Sequence, residues 1–250
     1  MGAVSSIVKP VVSGVVHPIV ISEGGAAAPD SLLTDLVAWW SLDEVSGTRV
    51  NAHNPGTHDL TDNNTVGSTT GVVGDAASFV AANSESLSTN HHADFVIADT
   101  PFSVAGWAEW STASAAAARI ISKGRSGSPG GEWSIVRSAN SVTGEARNAA
   151  NAASVATGFL EPGYDTWFFF IFEHLPDSNQ IKIEVNRASS QTAALVGGTY
   201  SSTNAIHIGS RVGADYIDGA IDNVVVARRL WTSEEKDRLY NSGAGMAYPA

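Results

Sequence analysis

The run Thr166-Trp167-Phe168-Phe169-Phe170-Ile171-Phe172 is apolar at every position after its first. Successive side chains of a β-strand point to opposite faces, so such a strand has no side to offer to water. It belongs in the middle of a sheet covered by other layers on both sides. Other runs read as strands of the same domain: Val37 to Leu42, Phe102 to Trp110, Ala205 to Ile208 and Asp222 to Ala227. Ile181-Lys182-Ile183-Glu184-Val185 alternates, with Ile181, Ile183 and Val185 expected inward and Lys182 and Glu184 outward. His207 falls on the outer side of its strand by the same rule.

Turn signals separate these runs: Asn54-Pro55-Gly56, Ser126 to Gly131, Pro176-Asp177-Ser178-Asn179 and Val196-Gly197-Gly198. Charged residues make up 16% of the chain, against about 25% in average domains, so polarity falls to Ser, Thr, Asn and Gly. One helix is expected, Ser233 to Asn241. Thr232 is its N-cap, Glu235 completes a capping box, and Gly243 offers a left-handed stop. The pattern predicts an all-β fold over residues 31–250: a two-sheet antiparallel sandwich with one short C-terminal helix.

Residues 1–30 differ in kind and read as an extended N-terminal arm with a linker. Val8-Lys9-Pro10-Val11-Val12 and Val16-His17-Pro18-Ile19-Val20 form an imperfect repeat of β-branched runs, each broken by a proline. Pro10, Ser13-Gly14, His17 and Pro18 interrupt the helix that a signal peptide or membrane span needs, so neither is expected. MGAVSS fits the N-myristoylation pattern, a short one that chance often matches. An apolar arm of this kind cannot bury its own side, and its expected support is another subunit or a larger assembly. Folding back on its own domain is the alternative. Glu23 to Pro29 reads as the linker.

Several chemistries are excluded. The chain has no Cys, which removes disulfides, thiolate metal sites and thiol catalysis. Fourteen Lys+Arg against 25 Asp+Glu give a net charge of −11, with no basic run to neutralise a nucleic acid. No G-x-S-x-G elbow or phosphate loop occurs, and Gly130-Gly131 and Gly197-Gly198 read as hairpin turns. His91-His92 has no third ligand at helical or hairpin spacing, so it is expected in a solvated loop and no metal is expected there. Asp218 and Asp222 are expected to bond backbone amides. Glycan recognition wants an aromatic platform beside polar groups. The candidates are Trp107 with Glu109 on one strand face, and Trp133 and Tyr164 beside Gly-rich turns.

Five segments, in order, carry a family likeness: Leu36 to Gly47, Gly74 to Phe79, Phe102 to Trp107, Trp167 with its following aromatics, and Tyr216 through Tyr240. Together they resemble the laminin-G-like, concanavalin-A-like jelly roll, over roughly Leu32 to Gly243. The resemblance implies a jelly-roll sandwich. Some relatives have a calcium or turn site at the positions where this chain departs from the pattern with Asn51 and Val185-Asn186-Arg187-Ala188, so no cofactor is expected and calcium stays an open alternative. The glucanases of this fold carry Glu-x-Asp-x-x-Glu on one strand; that motif is absent, so no enzyme is expected. Such jelly rolls occur behind short anchors in bacteriophage decoration and fibre proteins. The first expectation is therefore a structural protein displayed on the virion surface, with residues 1–28 contacting other virion proteins. It would form a homo-oligomer, with a trimer as the expected form, that holds host-surface glycans without entering a membrane. The alternative is a secreted bacterial carbohydrate-binding module.

Overall fold

A computed structural model describes residues 30–112, 114–115, 117–124, 131–138, 141–157 and 163–249. The arm and its residues Val8, Pro10, Val11, Val12, Val16, Pro18, Ile19 and Val20 lie outside these, as does most of the Ser126–Gly131 turn.

The first strands are β1 (Leu36–Trp40), β2 (Thr61–Asn63), β3 (Gly67–Thr70), β4 (Asp75–Phe79) and β5 (Ser86–Thr89). The middle of the chain gives β6 (Phe102–Trp110), β7 (Arg119–Lys123), β8 (Trp133–Ser138), β9 (Ser141–Arg147) and β10 (Ala153–Thr157). The rest are β11 (Phe168–Leu175), β12 (Gln180–Val185), β13 (Ser189–Ala194), β14 (Ile206–Ile208) and β15 (Gly219–Ala227), followed by α1 (Ser233–Tyr240). An eight-stranded sheet runs β13-β12-β11-β6-β15-β4-β3, with β1 also paired to β15. A seven-stranded sheet runs β10-β9-β8-β7-β14-β5-β2. All strand pairs are antiparallel. The chain is the two-sheet sandwich that its strand pattern predicts.

The aromatic run occupies β11, between β6 and β12. Phe168, Phe170 and Phe172 enter the core between the sheets, with Ile181, Ile183 and Val185 of β12. Phe169 and Ile171 enter a second core on the outer side of the eight-stranded sheet, with Trp39, Trp107, Trp231 and Leu239 of α1. Trp167 precedes the strand and packs on the edge of that second core.

The helix begins with the expected capping box: the Glu235 amide donates to Thr232 Oγ1 at 3.2 Å and the Thr232 amide to Glu235 Oε2 at 2.9 Å. It ends one residue earlier than expected. Asn241 (φ +46°), not Gly243, takes the first left-handed position, which Asn tolerates better than most side chains. The opening strand also stops early, at Trp40, because Leu42 turns to φ +65°. Past the helix the chain folds back: the Asn223 side chain donates to Met246 O at 2.8 Å, and Tyr248 meets the Trp39 ring edge-on at 5.6 Å.

The two asparagines at the resemblance's calcium positions are committed to backbone. Asn51 Oδ1 accepts from the Trp39 amide at 3.0 Å, and Asn186 Oδ1 from the Phe169 amide at 2.8 Å. Each side-chain oxygen is thus occupied by a backbone N–H.

Asp218 and Asp222 do bond backbone amides. Asp218 Oδ1 accepts from Ala81, and Asp222 Oδ2 from Val72 and Val73 at 2.8 and 2.9 Å. Asp222 is fully buried where the β15 register shifts, and its Oδ1 has no hydrogen-bond partner. Burial pushes its carboxyl up to about 7; the Val73 and Val72 amides oppose that shift and the Asp43 charge adds to it. Between the usual 3.8 and about 7 the folded chain then binds the extra proton. The contribution to stability is therefore full at low pH and lost as pH rises through that window. Asp222→Asn is expected to flatten this decline by on the order of 2 kcal/mol, read as denaturant midpoints at pH 5 and pH 8. An unchanged slope would assign the decline to other groups.

Candidate functional site

The alternation that sends Trp133, Ile135, Val142 and Ala146 into the core sends Ser134 and Glu145 to the outer face of the seven-stranded sheet. The register sets Ser134 opposite Glu145, Ser122 opposite Ser134, and His207 opposite Ser122. A polar row thus crosses four strands. Burial lowers the pKa of His207, favouring the neutral imidazole.

Arg119, at the start of β7, organises one end of the row. Its Nη1 donates to Glu145 Oε2 at 2.7 Å and to Ser134 Oγ at 3.1 Å, and Ser134 Oγ donates to the same carboxylate oxygen at 3.1 Å. From the loop after β14, Asp215 Oδ2 sits 3.4 Å from Arg119 Nε and 2.7 Å from Arg211 Nε. Arg147 Nη1 donates to Asn151 O at 2.8 Å. Arg119, Ser134, Glu145, Arg147 and Arg211 line an open groove with Ser122, Gly124, Gly131, Trp133 and Ala153, and Asp215 pairs with two of its arginines. At its end β7 and β8 meet backbone to backbone: a Cβ on Gly131 would lie 2.4 Å from Gly124 Cα. Three of the chain's 14 cationic side chains line this one groove, in a molecule of net charge −11.

Beside the groove lies a fully buried ion pair. Lys123 Nζ is 2.8 Å from Glu132 Oε2, with the two side chains 0% and 1% exposed. Lys123 also donates to Ser202 O and to Ser202 Oγ. Glu132 accepts from the Ile97 amide at 2.6 Å and the Ser202 amide at 3.0 Å. Burial lowers the Lys123 pKa, and the Glu132 charge opposes that shift. With its atoms committed in this way, the pair fixes the floor of the groove and the segment around Ser202. Two charges flanking a Gly-rich turn were its only trace in the sequence.

The four aromatic and acidic candidates do not converge, and only Trp133 borders the groove. Trp107 is 3% exposed, stacked at 5.7 Å on Tyr240 of α1 and at 5.1 Å from Phe169. Trp133 is 2% exposed, stacked at 6.1 Å on Phe172, and its Nε1 donates to Phe95 O. Both indoles are core groups, and neither offers a face to a sugar. Glu109 is half-buried on the eight-stranded sheet, away from the groove; burial, then the Asp165 charge, raises its pKa. Tyr164 is 44% exposed, with the Arg137 guanidinium 5.2 Å over its ring. His92 lies in an exposed loop, as expected, and the fold brings it beside Asp94 and His58. The groove residues Arg119, Glu145 and Arg211, and Asp215 that pairs with the two arginines, were missed because only cross-strand register and a loop join them.

No family model matches the chain, and no curated protein matches it in sequence. Solved structures do match in shape. The binding domain of Paraclostridial Mosquitocidal Protein 1 superposes with a TM-score of 0.68 at 10% identity, over 84% of this chain and 53% of that one. The receptor binding domain of botulinum neurotoxin D gives 0.61 at 12%, over 84% and 53%. Domain 4 of AbnA, a GH43 extracellular arabinanase from Geobacillus stearothermophilus seen with arabinotriose, gives 0.55 at 13%, over 85% and 98%. The chain thus spans about half the length of the two toxin domains. At these identities the likeness is one of fold: this chain is a two-sheet antiparallel β-sandwich of the kind those binding domains also contain.

Proposed function

We propose that the sandwich is a non-catalytic recognition module that holds a glycan in the groove over its seven-stranded sheet. The observation that carries this reading is the pre-set array of Arg119, Glu145, Ser134, Asp215 and Arg211, fixed by mutual ion pairs before any ligand arrives. Guanidinium and carboxylate groups held in place supply the directed donors and acceptors that sugar hydroxyls need, at little ordering cost. Its carboxylates are spent on arginines, which suits positioning and not hydrolysis. Domains of similar fold described as receptor-binding, or seen with arabinotriose, support the reading. The test is a glycan array with the whole chain. Arg147→Ala and Arg211→Ala are expected to weaken every hit at least tenfold, and Tyr164→Ala to leave hits unchanged. The reverse ranking would move the site to the Tyr164 rim.

The finer proposal places this module on a phage particle, anchored by residues 1–28 and assembled as a homo-oligomer. It rests on the Pro-broken apolar repeat at Val8–Val12 and Val16–Val20. Deleting residues 1–28 is expected to leave the thermal midpoint of the sandwich unchanged and to abolish incorporation into particles. A truncated chain that still incorporates would leave the secreted carbohydrate-binding module as the better reading.

A further inference from the structure

We infer that His58, His92 and Asp94 form a binding site for a divalent transition metal of the zinc type. The ligand atoms of the three residues all lie within 4.8 Å of one another. His58 Nε2 is 3.2 Å and His92 Nδ1 is 2.9 Å from the same oxygen, Asp94 Oδ2. Donor atoms on a tetrahedron of zinc-like radius, ~2.1 Å, are ~3.4 Å apart, so two of the three edges already have about the right length.

The surroundings hold these groups in place. His58 stands at φ +63°, a left-handed conformation that a residue with a Cβ adopts at some cost. Its carbonyl accepts from Trp40 Nε1 at 2.9 Å, and its ring packs edge-on against the buried Phe95 at 4.7 Å. The turn that carries Asp94 is gathered by Arg228, whose Nη1 donates to the carbonyls of Ala93, Asp94 and Val96 at 3.0 to 3.3 Å. Only His92 is mostly exposed, which leaves a way in.

The bland reading is a carboxylate accepting from two imidazoles. It is strained at His92, whose Nδ1 also faces the Asp94 amide at 3.3 Å, a contact in which the nitrogen has to accept. The same atom cannot donate to Oδ2 at 2.9 Å while it does so. A cation would take the Nδ1 lone pair in place of the weak amide contact and sit between that nitrogen and the carboxylate, where no proton need then be shared. Two imidazoles and a carboxylate are the borderline donor set that suits zinc, and three protein ligands leave one position open. His58 and Asp94 themselves line a pocket with His53, Asn54 and Thr57.

The test uses the whole chain with zinc alone by calorimetry, and with cobalt(II) as a spectroscopic stand-in. One zinc per chain is expected, with a tetrahedral cobalt spectrum. His92→Ala, an exposed change that spares the Phe95 packing, should weaken zinc at least tenfold and abolish the spectrum, whereas His91→Ala should match the parent. Zinc should also raise the thermal midpoint of the parent but not that of His92→Ala. No uptake by the parent, or equal uptake by His92→Ala, would overturn the inference.

Discussion

Trp133→Ala is expected to cost the fold about 3–5 kcal/mol, the range for emptying a large aromatic site in a packed core. The indole is 2% exposed, stacks at 6.1 Å on Phe172 and lies 5.3 Å from Phe102. Removing it also leaves the Phe95 carbonyl without the indole donor that reaches it at 3.0 Å. The two losses share one cavity, so they are not summed. Tyr164→Ala removes a half-exposed ring, one cation–π contact and the hydrogen bond that Arg137 Nη2 donates to its hydroxyl at 3.1 Å, together an effect of about 1–2 kcal/mol. Denaturant melts of the two variants decide the matter. Comparable losses would mean that Trp133 is not the core group its burial makes it.

The second large effect concerns the ion pair beside the groove. Lys123→Ala leaves Glu132 charged and buried without its partner, at an expected cost of about 3–5 kcal/mol. Full apolar replacement is ruled out, because Glu132 also accepts from the Ile97 and Ser202 amides. Glu132→Gln keeps an acceptor for one of them. The double variant Lys123→Met with Glu132→Gln is therefore expected to recover more than half of the single loss. Denaturation of the full cycle measures it; additive losses would show that the two charges do not sense each other.

What the sequence revealed follows from the range of each interaction. The β6 strand runs from Phe102 to Trp110 as expected, and the two-faced aromatic run lies in the centre of its sheet, because strand periodicity is a local property. The capping box of α1 was legible for the same reason: Thr232 and Glu235 are three residues apart. Burial of Trp107 was not. Its neighbours Ser103, Ala105 and Glu109 are small or polar, and the cover comes from Tyr240, on the far C-terminal helix. The groove was equally hidden, since Arg119 and Glu145 are 26 residues apart and meet only through the β7-β8-β9 register. His58 and Asp94, 36 residues apart, meet through loops that no spacing rule joins.

The central claim is that recognition happens over the seven-stranded sheet. Amide chemical-shift mapping with a glycan hit from the array tests it most directly. The account expects the shifts to cluster on β7, β8, β9 and residues 209–218, around Arg119, Glu145, Arg211 and Asp215. Shifts confined to the outer side of the eight-stranded sheet, around Glu109 and α1, would contradict it.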